Sequence, residues 1–231
     1  MPIIKKTAKI QKTKVYRRKC EKLDILIYYR MLLQRISRHL SPEEVSFLMG
    51  KPLDFMSKIE TFKLKRIFAY DLFSMYRVLE VNSMDSMMPS GVELSSQKNI
   101  YELHVTALAD RVIYELYRVD VEQDQKNTEF KLIDIRHDID HYKVSTADEV
   151  EKIRDFLNEK IDAEFFNEER QPYEIHNLCC VELKQYIQPK NLIKVLDDLL
   201  SLSDGRKIVR KESPYGYVYV LAAHAKSTEK K

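Results

Sequence analysis

Between residues 23 and 80 the apolar positions recur at intervals of three and four, the spacing of one face of a helix. Ile25, Tyr29, Leu32, Leu33, Ile36 and Leu40 define a first helix in this way. A second is expected to begin at Ser41. Ser41-Pro42-Glu43-Glu44 supplies a hydroxyl cap, a proline at the first helical position and a glutamate that completes a capping box. Gly50 permits a tight turn, and Lys51-Pro52 opens a short third helix through Phe55, Met56 and Ile59. A fourth helix is expected from about Arg66 to Val81, with Phe68, Leu72, Met75, Tyr76 and Leu79 turned inward. Residues 82–98 are polar, with Ser, Met, Pro and Gly, and read as a linker.

From Asn99 the period changes from helical to alternating. Tyr101, Leu103 and Val105 alternate with Glu102, His104 and Thr106. A second run follows around Val112, Tyr114 and Leu116, and a third leads through Phe130 and Leu132 to Ile135. The pattern predicts a three-stranded meander with turns at Ala109-Asp110 and 123–127. Thr146-Ala147-Asp148-Glu149 is a second capping box, opening a helix with Val150, Ile153, Leu157 and Ile161 on one face. Helices are then expected at about 178–187 and 189–202. A basic hairpin follows: Lys207-Ile208-Val209-Arg210-Lys211, the turn Ser213-Pro214-Tyr215-Gly216, and Tyr217-Val218-Tyr219-Val220-Leu221. The fold class is therefore α+β. It comprises a flexible arm (1–22), an all-α domain (23–81), a linker (82–98), a mixed domain (99–225) and a tail (226–231) expected to fray. Within the mixed domain, 99–170 form a small antiparallel meander plus helix, and 171–225 a helix-helix-hairpin.

Charge sharpens this division. The net charge is only +3, but residues 1–80 carry 18 Lys+Arg against 8 Asp+Glu, and residues 81–231 carry 21 against 28. The first 22 residues hold nine Lys/Arg and one acid, Glu21. A basic arm on a basic small domain is a footprint of nucleic-acid contact. The plainer alternative is a solvated tail, or one that touches an acidic surface. No run of about 18 apolar residues suggests a membrane span, and the N-terminus lacks the apolar stretch of a secretion signal. Three cysteines, Cys20, Cys179 and Cys180, form no paired framework, which fits a reducing compartment; a cytoplasmic location is expected. Only 4 glycines occur, and no dinucleotide fingerprint, P-loop or nucleophile elbow is present. Neither enzymatic activity nor a cofactor is expected.

The segment from Leu40-Ser41-Pro42-Glu43-Glu44 through Phe47-Leu48-Met49-Gly50 to Ser57-Lys58-Ile59-Glu60 resembles the lambda-repressor/Cro (XRE-type) helix-turn-helix family, and residues 25–80 fall within that likeness. Val45 and Leu48 would seat the second helix, and Met56 and Ile59 the third. The resemblance implies a third helix that enters the major groove of duplex DNA, and a protein that often acts as a homodimer. Lys51, Leu53, Asp54, Ser57, Lys58, Lys63, Lys65 and Arg66, with Arg17, Arg18 and Lys19 of the arm, are the DNA-contacting positions it designates. The base-reading positions here are Pro52, Leu53 and Asp54, and the residue after the serine, often a phosphate-contacting Gln in the family, is Pro42. Residues 175–221 are similar in order to the second half of a winged-helix domain. That likeness places Lys207, Arg210 and Lys211 on the wing and Lys190 and Lys194 near its helix; an ordinary helix pair capped by a hairpin is the plainer reading.

Three further constellations carry reactive or aromatic side chains. In Arg136-His137-Asp138-Ile139-Asp140-His141 two histidines share one strand face, with His104 a conceivable third ligand. A closed site wants four ligands, so no metal is expected and a solvated strand end fits better. Cys179 with His176 lacks an orienting group and reads as a buried thiol. Tyr215, Tyr217 and Tyr219 alternate as sheet packing requires rather than as a base-stacking platform. The leading expectation is a DNA-associated transcriptional regulator whose C-terminal domain serves dimerisation or signal input. The alternative is a non-enzymatic adaptor or structural subunit that uses a degenerate helix-turn-helix to grip a protein. Pro52, Leu53 and Asp54 as a lysine-flanked ridge would favour DNA; an exposed apolar patch at Leu53 and Phe55 would favour a protein.

Overall fold

Residues 12–21 form a strand, where a flexible arm was expected. The structure, a computed structural model, describes residues 12–64, 66–87, 91, 95–135, 146–202 and 207–225. Strand β1 (Lys12–Glu21) pairs antiparallel with β2 (Lys98–Ala107), from Lys12 opposite Ala107 to Glu21 opposite Lys98. β3 (Arg111–Asp120) and β4 (Gln125–Ile135) extend the sheet in the order β1-β2-β3-β4. The meander thus has four strands rather than three. β1 directs Val15, Arg17 and Lys19 to one face and Tyr16, Arg18 and Cys20 to the other, where Cys20 is buried.

Helix α1 (Lys22–Ser37) follows β1 directly and buries Ile25, Tyr28, Met31, Leu32 and Arg35. Ile25, Tyr28 and Leu32 join Cys20, Tyr101, Leu103, Val112, Tyr114 and Leu116 in one core. The inward face is rotated from the expected one: Tyr28 replaces Tyr29, and Leu33 is exposed. The cause is Arg35, which is fully buried and takes an inward position on that face. Its Nε lies 2.5 Å from Glu60 Oε1, its Nη2 donates to Glu60 Oε2 at 3.1 Å, and its Nη1 donates to Asp134 Oδ2 at 2.8 Å. Tyr114 Oη donates to Glu60 Oε2 and Tyr28 Oη to the Glu60 carbonyl. Burial works against the charge on Arg35, but Glu60, Tyr114 and Asp134 outweigh it and hold the guanidinium protonated.

The chain divides into two compact units. One comprises Met1–His39, Glu60–Lys65 and Asn82–Ile139; the other comprises Leu40–Ile59, Arg66–Val81 and Asp140–Lys231. The helices expected to form one all-α domain are therefore shared out. α1 belongs with the sheet, while α2 (Pro42–Leu48), most of α3 (Phe55–Glu60) and α4 (Ala69–Val78) belong with the C-terminal half. The expected linker contributes a single turn, Met84–Ser86, and the fully buried Met87 to the sheet unit.

In the helical unit the local signals act as read. Ser41 and Glu44 complete their capping box at 3.0 and 2.7 Å. Ser46 Oγ donates to the Pro42 carbonyl and accepts from Met56 N–H, tying α3 to α2. Val45, Leu48, Met56 and Ile59 are all buried. Thr146 caps α5 (Ala147–Asp162), but Glu149 does not return the bond; it accepts from Gln188 N–H and Asn191 instead. α6 (Pro172–Glu182) starts earlier than expected, at a proline preceded by Gln171, whose N–H is received by Glu174. α7 (Pro189–Ser201) buries residues on nearly every side. β5 (Ile208–Ser213) and β6 (Gly216–Leu221) form the hairpin, followed by the single turn α8 (Ala222–Ala225). The outer edge of β6 is covered: Tyr217 N–H donates to the Gly50 carbonyl at 2.7 Å, and Tyr219 exchanges two backbone bonds with Arg170. Among the described residues no helix is long and apolar enough to cross a membrane. The chain is an α+β protein with a four-stranded and a two-stranded antiparallel sheet.

Arg35→Ala should cost about 3–5 kcal/mol, read as a lower urea midpoint, because it strands two buried carboxylates. Replacing Arg35, Glu60 and Asp134 together with apolar residues of similar volume should recover most of that loss; a triple variant no more stable than Arg35→Ala would contradict this account.

Candidate functional site

The residues expected to touch DNA are divided between the two units. Arg17, Arg18, Lys19 and Lys63 belong to the sheet unit; Lys51, Leu53, Asp54, Ser57, Lys58, Arg66 and the hairpin cations belong to the helical unit. Lys65 and the 136–141 histidine cluster lie outside the described residues. The basic surplus also follows the sheet. That unit has 20 Lys/Arg against 14 Asp/Glu, a balance of +6, whereas the helical unit has 19 against 22, a balance of −3.

Most of these side chains already serve the fold. Lys51 Nζ is 3.0 Å from Asp71 Oδ1, with both side chains largely buried, and sits 4.7 Å over the Tyr70 ring. Asp71 Oδ2 meanwhile accepts from Phe68 N–H at the start of α4. Asp54 and Lys58 pair at 2.7 Å on α3, and Ser57 Oγ donates to the Asp54 carbonyl. Leu53 and Phe55 are half-buried, so they form no exposed apolar patch. Lys63, Arg66 and Lys19 are exposed. Arg17 pairs with Glu102 at 3.1 Å, and Arg18 lies over Phe62 and donates to the Leu64 carbonyl. On the hairpin, Lys211 pairs with Glu169 at 2.8 Å, Arg210 lies 4.8 Å over the Tyr217 ring, and Lys207 is half-buried. Of the two lysines on the neighbouring helix, Lys190 is buried and Lys194 pairs with Asp198 at 2.6 Å.

The structure does assemble an aromatic cleft in the helical unit. It is a cavity of about 260 Å³ between α4 (Tyr70, Phe73, Ser74, Arg77), the α2–α3 turn at Met49, Gln171, and the hairpin tip from Ser213 to Val218. Phe73 and Tyr215 are 55% and 65% exposed, and beside them Phe68 is 57% exposed. Phe68 stacks on Tyr70 at 5.5 Å, and Tyr70 meets Tyr215 edge-on at 5.8 Å. The expected inward face of α4 is thus corrected at Phe68: Asp71, Met75 and Val78 form the buried face of the helix with Leu79 beyond it, Leu72 and Tyr76 are half-buried, and Phe68, Tyr70 and Phe73 turn outward. The tyrosine alternation also splits. Tyr217 and Tyr219 are buried sheet packing, while Tyr215 projects from the turn.

Two glycines set the wall of this cleft. Gly50 has φ +66°, and a Cβ built on it would lie 2.6 Å from the Tyr217 carbonyl oxygen; one on Gly216 would lie 2.7 Å from the Gly50 carbonyl oxygen. The hairpin tip can rest on the α2–α3 turn only because neither position carries a side chain. Arg77 differs from the other cations. Half-buried on the cleft, it lies 5.5 Å from the centre of the Tyr173 ring, and among the described residues its guanidinium makes no hydrogen bond or ion pair.

Other reactive groups are engaged structurally. His176 Nε2 is 2.8 Å from the Ile187 carbonyl and 3.7 Å from the Sγ of Cys180; Cys180, not Cys179, is its neighbour. Burial pushes the Cys179 thiol up to about 12, which keeps it protonated and un-nucleophilic. On the sheet, the buried Glu102 accepts from Lys126, His104 and Arg17, which hold its carboxyl at about 2. Among the described residues no group of three or more His, Cys, Asp or Glu gathers to hold a metal. No protein-family model matches the chain, and neither does a curated protein or a solved structure.

Gly50→Ala and Gly216→Ala should each lower the urea midpoint, Gly50→Ala by about 2–3 kcal/mol from left-handed backbone strain and the lost Tyr217–Gly50 bond. The double variant should lose clearly less than the sum, since both disrupt one contact; additive losses would place the two glycines in separate contacts. Burial lowers the His176 pKa, so the unfolded imidazole takes its proton first. Stability from this group is full above the ordinary histidine value of about 6.5 and is lost as pH falls from there toward the folded value. Urea titrations at about pH 7.5 and 5.5 should show a smaller acid loss for His176→Gln than for the parent. Parallel losses would mean that His176 protonates in place.

Proposed function

We propose that this chain is a non-enzymatic adaptor that holds a segment of a partner protein in the aromatic cleft of its helical unit. In this reading the α2–α3 pair is a degenerate helix-turn-helix that serves as scaffold rather than as a DNA reader. The observation that carries the proposal is the run of exposed rings, Phe68, Tyr70, Phe73 and Tyr215, beside a cavity of about 260 Å³. Exposed aromatic side chains around a pocket are the usual anchors of protein interfaces, where they contribute large apolar area at low conformational cost. Duplex DNA is the weaker reading. Lys51 is committed to Asp71 and Lys58 to Asp54, and the unit that carries both helix pairs has a charge balance of −3. A polyanion is repelled by such a surface unless local cations outweigh it. The free thiols of Cys20, Cys179 and Cys180 support a reducing, cytoplasmic setting.

Two measurements separate the readings. Anisotropy of a labelled mixed-sequence duplex, followed across a salt series, should show no binding that Arg66→Ala or Lys58→Ala weakens. A photo-crosslinking phenylalanine analogue at position 73 or 215, introduced in the producing cell, should give one discrete protein adduct that is absent when the analogue replaces the exposed Glu159. Duplex binding that falls steeply with salt, or nucleic acid in the crosslink, would return the protein to the DNA-associated regulators.

A further inference from the structure

Arg77 specifies what the cleft can hold. Tyr70, Phe73, Ser74 and Arg77 stand at i, i+3, i+4 and i+7 on α4, so they form one stripe along the helix, and all four line the cavity. The stripe is graded. Rings occupy its N-terminal part, joined across the cleft by Tyr215. The guanidinium stands at its C-terminal end, laid on Tyr173 at 5.5 Å. Among the described residues no carboxylate neutralises Arg77, whereas the nearby Lys51 is paired with Asp71. A half-buried guanidinium with its fork of donors open matches a planar oxyanion, and stacking on an aromatic face orients the fork. The cavity, about 260 Å³, is smaller than the roughly 300–1,000 Å³ of small-molecule sites and suits one large side chain. From Phe73 to Arg77 the helix rises about 6 Å, which an extended peptide spans in about two residues.

We infer that the cleft takes an extended partner segment in which an aromatic or large aliphatic side chain enters among Phe73, Tyr70 and Tyr215, while a carboxylate about two residues away is bound by Arg77. The inference rests on the adaptor reading and adds the chemistry of the partner. A single carboxylate is enough to satisfy Arg77. The −3 balance of the unit disfavours a polyphosphate chain in its place.

The test uses the full chain immobilised against a phage library of random dodecamer peptides, with enriched peptides resynthesised with a fluorescent label. Enriched sequences should share an aromatic or large aliphatic residue within about two positions of Asp or Glu. Arg77→Gln should weaken such a peptide about tenfold or more, the worth of a charge-assisted hydrogen bond, while the melting curve shifts little, because Arg77 meets the fold through the Tyr173 ring and makes no hydrogen bond or ion pair to a described residue. Arg77→Lys should retain part of the affinity. Replacing the acid of the peptide by its amide should weaken the parent chain by the same factor and leave Arg77→Gln unaffected. Enriched peptides that lack an acid, or that bind Arg77→Gln equally well, would overturn the inference while leaving the adaptor reading intact. Peptides that bind Phe73→Ser and Tyr215→Ser as tightly as the parent would remove the cleft from both. No enrichment over an unrelated protein, or displacement of the peptide by oligothymidylate, would also overturn the inference.

Discussion

The buried guanidinium of Arg35 is the constraint on which the sheet unit depends. It is fully enclosed and bonds to Glu60, Asp134 and Tyr114, so it ties α1 to β3, to β4 and to the last residue of α3. A buried ion of this kind is weak evidence for stability as such, because well-packed apolar residues of the same volume can serve as well. What it contributes is register. The 60–65 segment enters the sheet unit between two stretches that belong to the helical one, and it is held there by directional polar bonds and a ring contact. Glu60 clasps Arg35 and receives Tyr28 Oη on its carbonyl, Phe62 packs on Tyr28 at 4.9 Å, and the Leu64 carbonyl accepts from Arg18. An apolar core alone tolerates sliding; directional bonds to both edges of one guanidinium do not.

The helical unit is organised by a contact of the opposite kind, one defined by missing atoms. Gly50 and Gly216 let two backbone turns meet, and the resulting Tyr217–Gly50 bond closes one edge of β6 while the Arg170 exchange closes the rest of it. This is why the hairpin is not free-standing. Its tip is seated on the α2–α3 turn, and Lys211 is drawn to Glu169. The same seating brings Tyr215 opposite Tyr70 and so creates the cleft. Structure and candidate site therefore share one cause: a tip held this close must leave its outward ring over the α4 rings.

Much of the helical unit was legible in the residues because its signals are local. The Ser41 box, the Gly50 turn, the inward pairs Val45/Leu48 and Met56/Ile59, and the Ser213–Gly216 hairpin each need only a few neighbours to be recognised. The failures share a different property. β1 is read as an arm because Lys14, Arg17, Arg18 and Lys19 hide its alternation and its partner β2 starts at Lys98, far along the chain. Arg35 breaks an apolar stripe whose phase then shifts by one residue, and its partners Glu60 and Asp134 are 25 and 99 positions away. At the start of α4, Phe68 looks like core until it is known which face the rest of the chain covers. Folding redistributes the charge in the same way. The +10 balance of residues 1–80 is a property of a stretch of chain, and folding assigns the most basic part of that stretch to the sheet.

That reassignment changes what the cations mean. A lysine or arginine counts toward a phosphate surface only if its charge is free to face outward, and here the decisive contrast lies within the helical unit. Lys51, at the position the helix-turn-helix likeness marks for DNA, is neutralised by Asp71, whose other oxygen anchors the start of α4. Removing Lys51 from that pair to serve a phosphate would leave a carboxylate that is 3% exposed without its counter-charge. Arg77 stands six residues after Asp71 on the same helix, makes no ion pair with a described residue, and lies over a ring face. Stacking on a ring leaves the in-plane N–H groups of a guanidinium available, whereas pairing with a carboxylate uses them. The helical unit thus pairs one cation with a buried acid and leaves another beside exposed rings.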